Sequence, residues 1–367
     1  MAATYIYAVI PGGVAGIFDV AGVDDGDGDV YAVPYHDLAA VVSSSPLPDY
    51  RGLRREDAVR YLVAHQRVIE AVMQAFPVLP VKFGTVLPNE TRVRHLLAQG
   101  EALFRTTLEQ FAGQMQMEVV VLWDLSEIFQ EIGREEAIIQ LKAQVAARPV
   151  EETPAERVAI GQIVKASLDR RRAALCQRLL PPLQEVALDL VVNPLMDESM
   201  VANVALLVDE AGGRLLDEQL AMLDERFEGR LHFRCVGPLP PNSFATVEVQ
   251  GFSFESVNEA RYRLGLGETS SLGEIKKNYH RLAAQLHPDH NPQDPEAEAR
   301  MAELTWAYRH LIAYGETQAV LVPDEQGCGE AQGLFQGTPA REPVCSFTCE
   351  AVEQALLIAI RRQEILA

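Results

Sequence analysis

Apolar residues in the first third of the chain change their spacing, and each spacing predicts a different element. Residues 4–10 (TYIYAVI) are rich in aromatic and β-branched side chains and stop at a Pro-Gly-Gly turn, which is typical of a strand. Two further strand patterns follow at 30–35 and 38–43. From Ala58 to Phe76 the apolar residues recur every three or four positions, which predicts an amphipathic helix.

His65 lies within the apolar face of this first helix. No cysteine, aspartate or second histidine shares that face nearby, so the spacing does not favour a metal ligand or a catalytic group. We therefore predict a hydrogen-bonded histidine in a core or an interface.

A second helix completes the first unit. A short strand at 78–86 contains Pro80, which favours an edge or a bulge, and Asn89 then supplies a helix N-cap. The apolar residues of the helix share one stripe, formed by Val93, Leu96, Leu97, Phe104, Leu108 and Phe111. These elements predict a compact α+β domain at 1–116.

The next part of the chain alternates strand and helix patterns in a recognisable order. Its strands are predicted at 117–125, 187–192, 201–208 and 231–236, and its helices at 126–147, 153–182 and 213–227. The order strand, helices, strand, strand, helix, strand is the ferredoxin-like β-α-β-β-α-β arrangement. We predict a ferredoxin-like domain at 117–251.

The clearest helix start in the chain is at Ser271. Ser271 and Glu274 have the spacing of a capping box, which satisfies the first backbone N–H groups of a helix. The apolar stripe of this helix consists of Leu272, Ile275, Tyr279, Leu282 and Leu286. A second helix pattern at 295–314 completes an antiparallel helix pair, and we predict an all-α module at 252–318.

The same helix concentrates positive charge. Lys276, Lys277 and Arg281 lie mainly off the apolar stripe, and His287, Pro288 and Asp289 follow at the start of the loop. After this module, residues 319–367 predict a linker and a C-terminal amphipathic helix at 351–366, which packs back on the body or binds a partner. The predicted fold class is therefore α+β with an all-α module and a helical tail.

Charge and composition narrow the function classes. The 367 residues carry a net charge of −20, so a general nucleic-acid binder is excluded because a phosphate backbone would repel most of this surface. Five cysteines are few and odd in number, which is typical of a reducing cytosol. No signal peptide and no apolar run of about 18 residues is present, so we expect a cytoplasmic protein without a membrane partner.

Motifs for metal, cofactor or catalytic chemistry are weak. The acidic run beginning at Asp25 resembles a calcium loop, but Val30 stands where that loop needs glycine and His36 where it needs glutamate. Cys345 and Cys349 have the wrong spacing for a zinc site. No nucleophile–base pair, paired-carboxylate site or phosphate loop is present, so we expect no catalytic residue, no metal and no cofactor. The protein is expected not to be an enzyme.

The first two units resemble the gas vesicle protein F/L family over residues 4–250. The resemblance rests on the order of several segments: YIYAVI, HDLAAVVS at 36–43, AHQRVIEAV at 64–72, VLPVKFGTVL at 78–87, MEVVVLWD and GPLPPNSFATVEV at 237–249. It implies a minor component of gas vesicles that binds the small hydrophobic shell protein, contacts other gas vesicle proteins, and acts in shell nucleation or assembly. Localisation to gas vesicles in the cytoplasm follows from the same resemblance.

The third unit is similar to a J domain, which docks on DnaK-type chaperones and stimulates their ATP hydrolysis. RYRLGLG, EIKKNYHRLAAQLHPD and MAELTWAYRHL match in order, although His290 stands where the family usually has lysine. The resemblance implies that His287, Pro288 and Asp289 trigger the chaperone, while Lys276, Lys277 and Arg281 meet an acidic surface on it.

Three interpretations stay open at this point. A gas vesicle assembly factor could couple to a DnaK-type chaperone, or it could keep the helix pair only as a packing or docking element. Alternatively, the chain is a general J-domain co-chaperone whose N-terminal part binds assorted clients.

Overall fold

The computed structural model describes residues 3–12, 16–23, 28–146, 148–149, 152–287, 296–319 and 344–363. The first unit contains one antiparallel sheet with the strand order β2-β3-β4-β1-β5, and β6 also pairs with β1. Its strands are β1 (Ala3–Pro11), β2 (Ile17–Phe18), β3 (Val30–Tyr35), β4 (Leu38–Ser45), β5 (Leu79–Pro80) and β6 (Val86–Leu87), and its helices are α1 (Arg55–Met73) and α2 (Glu90–Gln110).

The two helices cover opposite faces of this sheet. On the central strand β1, Ile6 and Val9 join the core under α2, whereas Tyr5, Tyr7 and Ile10 join the core under α1. Both faces of β1 are therefore buried, and this is why its sequence is apolar throughout instead of alternating. The predicted α+β character of the first unit is confirmed.

His65 is buried in the core under α1, as the sequence predicts, with 4% of its surface exposed. Its Nδ1 lies 3.0 Å from the Tyr5 hydroxyl, and its ring also hydrogen-bonds the backbone of Val81. Burial lowers the pKa of His65 to about 4, and the ring is neutral at physiological pH.

The first prediction follows from this depressed pKa. The unfolded chain takes up a proton at His65 below about pH 6.5, and the folded chain does so only below about pH 4. Acid therefore favours unfolding. The contribution of His65 to the free energy of unfolding is complete above pH 6.5 and falls by about 3 kcal/mol as the pH approaches 4. Urea unfolding at pH 7, 5.5 and 4.5 measures the loss. His65→Gln should lose less stability than the native chain over this range, and equal losses would contradict the prediction.

The second unit contains a four-stranded antiparallel sheet with the order β10-β7-β9-β8. Its strands are β7 (Met115–Trp123), β8 (Asp189–Val192), β9 (Met200–Val208) and β10 (Leu231–Leu239), and its helices are α3 (Leu125–Gly133), α4 (Glu136–Ala146), α5 (Pro154–Glu185) and α6 (Glu210–Arg226). The first and third strands of the unit are central, so the predicted ferredoxin-like arrangement is confirmed. Its core packs the sheet against α3, α4, α5 and α6.

The remaining elements form the third unit and the end of the chain. They are β11 (Thr246–Gly251), α7 (Phe254–Arg263), β12 (Thr269–Ser271), α8 (Leu272–Leu286), α9 (Ala297–Ala319), β13 (Val344–Ser346), α10 (Cys349–Gln354) and β14 (Leu356–Arg361). The boundaries predicted at residues 116, 251 and 318 stay predictions. Within the ranges that the structure describes, no helix combines the length and apolar character needed to cross a membrane.

The predicted C-terminal helix at 351–366 is wrong beyond its first turns. Helix α10 ends at Gln354, and Leu356–Arg361 forms a strand that pairs with β11. Leu356, Ile358 and Ile360 all contact the core under α2, so the apolar residues face inward at every second position. That period of two belongs to a strand, and the β-branched isoleucines favour it.

Candidate functional site

Three helices of the third unit enclose one hydrophobic core. Val257 from α7, Ile275 from α8, and Leu304 and Leu311 from α9 are fully buried or nearly so. The other apolar residues predicted on α8 pack against the same core: Leu272, Tyr279, Leu282 and Leu286. The inward face of α8 was therefore correctly predicted, and its outward face is available for another role.

Helices α8 and α9 lie antiparallel, as predicted. The side chain of Leu272, at the start of α8, faces Gly315 near the end of α9. In the middle of the pair, the rings of Tyr279 and Tyr308 stack with centroids 4.1 Å apart and planes inclined by 15°. A Cβ at Gly315 would lie 2.5 Å from Leu272 Cδ2, so glycine permits this close approach.

The N-terminus of α8 is fixed by the predicted capping box. The backbone N–H of Glu274 donates to Ser271 Oγ at 3.2 Å, and the backbone N–H of Ser271 donates to Glu274 Oε2 at 3.0 Å. The hydroxyl of Ser270 donates to the same carboxylate. These hydrogen bonds, that from the Ser271 backbone first, lower the pKa of the Glu274 carboxyl, which therefore caps the helix as an anion.

A side-chain contact also ties α8 to α7. Asn278 Nδ2 donates to the carbonyl of Leu264 at 3.1 Å, just after the end of α7. Arg263, the last residue of α7, forms ion pairs with Glu259 on its own helix and with Glu303 on α9. Asn278 thus holds α8 against the end of α7, and Arg263 holds α7 against α9.

The outward face of α8 is basic. Lys276, Lys277 and Arg281 are exposed, as is His280. None of the three strong cations forms an ion pair with another residue in the described ranges. By contrast, Arg171 in the second unit pairs with two glutamates. Three exposed cations on one rigid helix of an acidic protein can steer an acidic partner.

His287 follows directly at the C-cap of α8. Its backbone is extended, with φ −57° and ψ 132°, and the residue is exposed. The helix therefore ends at Leu286, and His287 is the first residue after it. Pro288 and Asp289, the other two residues predicted for the trigger, lie outside the described residues. The structure brings Lys276, Lys277, Arg281 and His287 together on one helix.

The C-terminal part of the third core was missed by the sequence analysis. Strand β13 pairs with β12, and Cys345, Phe347, Val352 and Ala355 are buried among α7, α8 and α9. The alternation of Cys345 and Phe347, which are both buried, is too short to predict burial by itself. The core of the helical module therefore includes side chains from residues 344–355, which lie far beyond the end of α9 in the sequence.

The cysteine pair of this segment shows no sign of metal binding. Cys345 is buried, and burial raises the pKa of its thiol, which disfavours the thiolate that a metal requires. The thiol of Cys349 donates to Glu353, which raises its pKa as well. Among the residues whose positions are described, no group of three or more His, Cys, Asp and Glu side chains is arranged to hold a metal ion.

A second feature is an open cleft of about 420 Å³ between the first and second units. Its apolar lining includes Met73, Phe76, Phe111, Met115, Pro238 and Pro241. Ala75 lies at the cleft and is exposed. A cleft of this size and lining accepts an aliphatic or aromatic side chain of a partner.

Two protein families match different parts of this chain. Residues 3–246 match the family described as gas vesicle synthesis protein GvpL/GvpF. Gas vesicle protein F of Nostoc sp. is 25% identical over 247 residues, which cover 66% of this chain and 98% of the relative. The crystal structure of GvpF from Anabaena sp. aligns with a TM-score of 0.53 at 24% identity, over 66% of this chain and 97% of that one, and supports the fold.

The helical unit matches a different family. Residues 262–316 match the DnaJ domain, and the mitochondrial chaperone protein dnaJ GFA2 of Arabidopsis thaliana is 46% identical over 61 residues, 17% of this chain and 13% of the relative. The matched segment contains α8, most of α9 and the residues between them. The chain belongs to the GvpL/GvpF family of gas vesicle proteins and carries a DnaJ domain after the family region.

Proposed function

We propose that this protein acts in nucleation or assembly of the gas vesicle shell by binding the hydrophobic shell protein, and that its DnaJ domain recruits a DnaK-type chaperone to that process. One observation carries the proposal: a GvpL/GvpF region and a DnaJ domain with an exposed basic helix share one chain. Joining them places chaperone activity next to a bound shell subunit. The proposed role is binding and recruitment, without enzymatic turnover.

The shell-binding half is supported by charge and by the cleft between the first two units. A net charge of −20 keeps a complex with an aggregation-prone apolar partner dispersed. The apolar cleft gives such a partner a place to bury one side chain. We therefore assign the first contact with the shell protein to this cleft.

A pull-down of shell protein by the full chain tests this assignment. Ala75→Arg places a long charged side chain at the cleft and should reduce shell-protein retention about tenfold, the equivalent of one lost buried aliphatic contact. Ala71→Arg, the same change at an exposed position one turn earlier on α1, is the matched control. Equal retention by both variants would remove the cleft from the proposal, and no retention by the native chain would contradict shell binding itself.

The chaperone half is supported by the basic face of α8. Reversing one charge with Lys277→Glu should slow association with a DnaK-type chaperone about tenfold at low ionic strength, because exposed surface charges act mainly on encounter. The difference should shrink as salt is added. Stopped-flow association at several salt concentrations measures it. Lys142→Glu on α4, which is also an exposed lysine, should leave the rate near the native value.

Deletion in a vesicle-forming host separates this function from that of a general co-chaperone. Loss of buoyancy with normal heat tolerance supports the assembly role. A broad loss of heat tolerance instead favours a J-domain co-chaperone with assorted clients.

A further inference from the structure

The helical unit, which consists of α7, α8 and α9 and carries the DnaJ domain, is joined to the rest of the protein at two neighbouring points. Strand β11 leads into α7 at one point, and α10 leads into β14 at the other. The two strands pair antiparallel over six residue pairs, from Thr246 opposite Arg361 to Gly251 opposite Leu356. Domains joined by a single linker usually move relative to one another, but two hydrogen-bonded strands resist both bending and swivelling. The connection to the helical unit is therefore stiff.

This pair of strands is fixed to the first unit. On the side of β11 away from β14, Val247 forms a bridge with Val81, and the backbone N–H of Lys82 donates to the Val247 carbonyl at 2.9 Å. Val247 is fully buried in the core under α2, and Leu356 is nearly so. Both strands thus contribute side chains to the core of the first unit.

Helix α2 also holds the chain where α10 passes into β14. Arg92 donates to the carbonyls of Glu353 and Gln354, at 2.8 and 3.1 Å, at the end of α10. The last carbonyls of a helix have no partner within the helix, so the guanidinium satisfies two of them. Two turns later on α2, Gln99 Nε2 donates to the carbonyl of Leu356 at 2.7 Å. These three hydrogen bonds fix the junction between the helical unit and the first unit.

The end of β14 reaches the second unit. Arg362 pairs with Asp189 on β8 at 2.8 Å, and the backbone N–H of Gln363 donates to the carbonyl of Ser243 at 2.9 Å. At the other end, Val352 on α10 is fully buried in the core of the helical unit. Residues 349–363, which we call the closing segment, therefore contact all three units.

The closing segment lies outside both matched families. The GvpL/GvpF match ends at residue 246, and the DnaJ match ends at residue 316. Arg92, Gln99 and Asp189, which hold the segment, lie within the GvpL/GvpF region. A segment that belongs to neither matched region but packs against both is suited to fasten one to the other.

We propose that the closing segment holds the DnaJ domain in one fixed orientation on the GvpL/GvpF region, with Arg92 as a positioning residue, and that gas vesicle formation needs this orientation. The inference rests on the proposed function, because a chaperone docked on α8 would then meet a bound shell subunit in one defined arrangement. A flexible linker only raises the local concentration of the chaperone. A fixed mount also removes the entropy cost of orienting it.

Relaxation of backbone amides in nuclear magnetic resonance tests the orientation in the full chain. In the native protein, the amides of α8 and α9 should report the same rotational correlation time as those of β1 and β9. A loosened variant combines Arg92→Ala with four Gly-Ser residues inserted between Ala355 and Leu356, so that β14 and both cores keep their residues. The correlation time of its α8 and α9 amides should fall by about a third or more.

The control variant carries the same kinds of change away from the closing segment. It combines Arg94→Ala, at an exposed arginine of α2 that pairs with Glu90 on the same helix, with the same insertion after Gly229 in an exposed turn. All its amides should report one correlation time.

Vesicle formation in a host tests the consequence of a fixed orientation. The loosened variant should retain shell protein and stimulate a DnaK-type chaperone ATPase as the native chain does, because the cleft and α8 are unchanged. It should nevertheless form at least about fivefold fewer gas vesicles than the control variant, since only local concentration remains.

Each result bears on a separate part of the inference. Faster tumbling of α8 and α9 than of β1 in the native protein would overturn the fixed orientation. An unchanged correlation time in the loosened variant would overturn the role of Arg92 and the closing segment. Normal vesicle numbers with a freely tumbling helical unit would show that the orientation is not needed. Failure of the native chain to bind shell protein or stimulate the chaperone would instead contradict the proposed function and leave the relaxation result standing.

Discussion

Replacing Phe104 by alanine is expected to lower the free energy of unfolding by about 3–5 kcal/mol, the usual cost of removing a fully buried aromatic ring. Phe104 on α2 is 0% exposed and packs in the core that α2 shares with β1, β11 and β14. Gly100, one turn earlier, lies against its ring, and a Cβ at this position would overlap with Phe104 Cε2. The backbone and the ring are fitted to each other, so the site cannot close readily around alanine.

The neighbouring residue supplies the control for Phe104→Ala. Leu103 is 41% exposed on the same helix, and Leu103→Ala should change stability by only about 0.5–1 kcal/mol. Urea unfolding monitored by far-ultraviolet circular dichroism compares the two variants. Similar losses for both would show that the core under α2 does not have the close packing described above.

Local signals explain most of the fold that could be predicted from the sequence. Asn89 caps α2 by accepting from the backbone N–H of Arg92, and Ser271 with Glu274 caps α8, both as their residue types predict. His65 is a hydrogen-bonded core residue, because its position on the apolar face decided its burial. Such features depend on neighbours within a few positions, which the sequence displays directly.

The parts of the fold that the sequence did not predict depend on contacts between residues far apart in the chain. Residues 356–361 have apolar positions compatible with either a helix or a strand, and their partner β11 is more than a hundred residues earlier in the chain. Cys345 and Phe347 complete the core of α7, α8 and α9 from the far side of a long connection. Neither contact leaves a local pattern, so only the folded structure decides between the two periodicities.

The sequence also indicates which side chains of α8 are exposed, for a related reason. The apolar stripe of α8 fixes which face is inside, and that choice leaves Lys276, Lys277 and Arg281 outside. The tilt of this face is a tertiary property, set by the stacked rings of Tyr279 and Tyr308 and by the bond from Asn278 to Leu264.

His287→Gln is expected to reduce stimulation of a DnaK-type chaperone ATPase by the full chain at least about tenfold, since the proposed trigger begins at this residue. His287 is exposed at the end of α8, so the substitution should leave the midpoint of thermal unfolding near the native value. Steady-state ATPase assays with the intact protein measure the effect. His232→Gln, at an exposed position on β10, is the matched control and should stimulate normally.

The same variant decides whether the two halves of the protein act together in cells. If chaperone recruitment serves shell assembly, a host carrying His287→Gln should form far fewer gas vesicles than one carrying His232→Gln, although both proteins still bind shell protein. Normal vesicle formation with His287→Gln, beside failure of a full deletion, would confine the DnaJ domain to a packing role. The third unit would then have a structural role. Its core holds residues 344–355, and these residues lead directly to β14 at the edge of the first sheet.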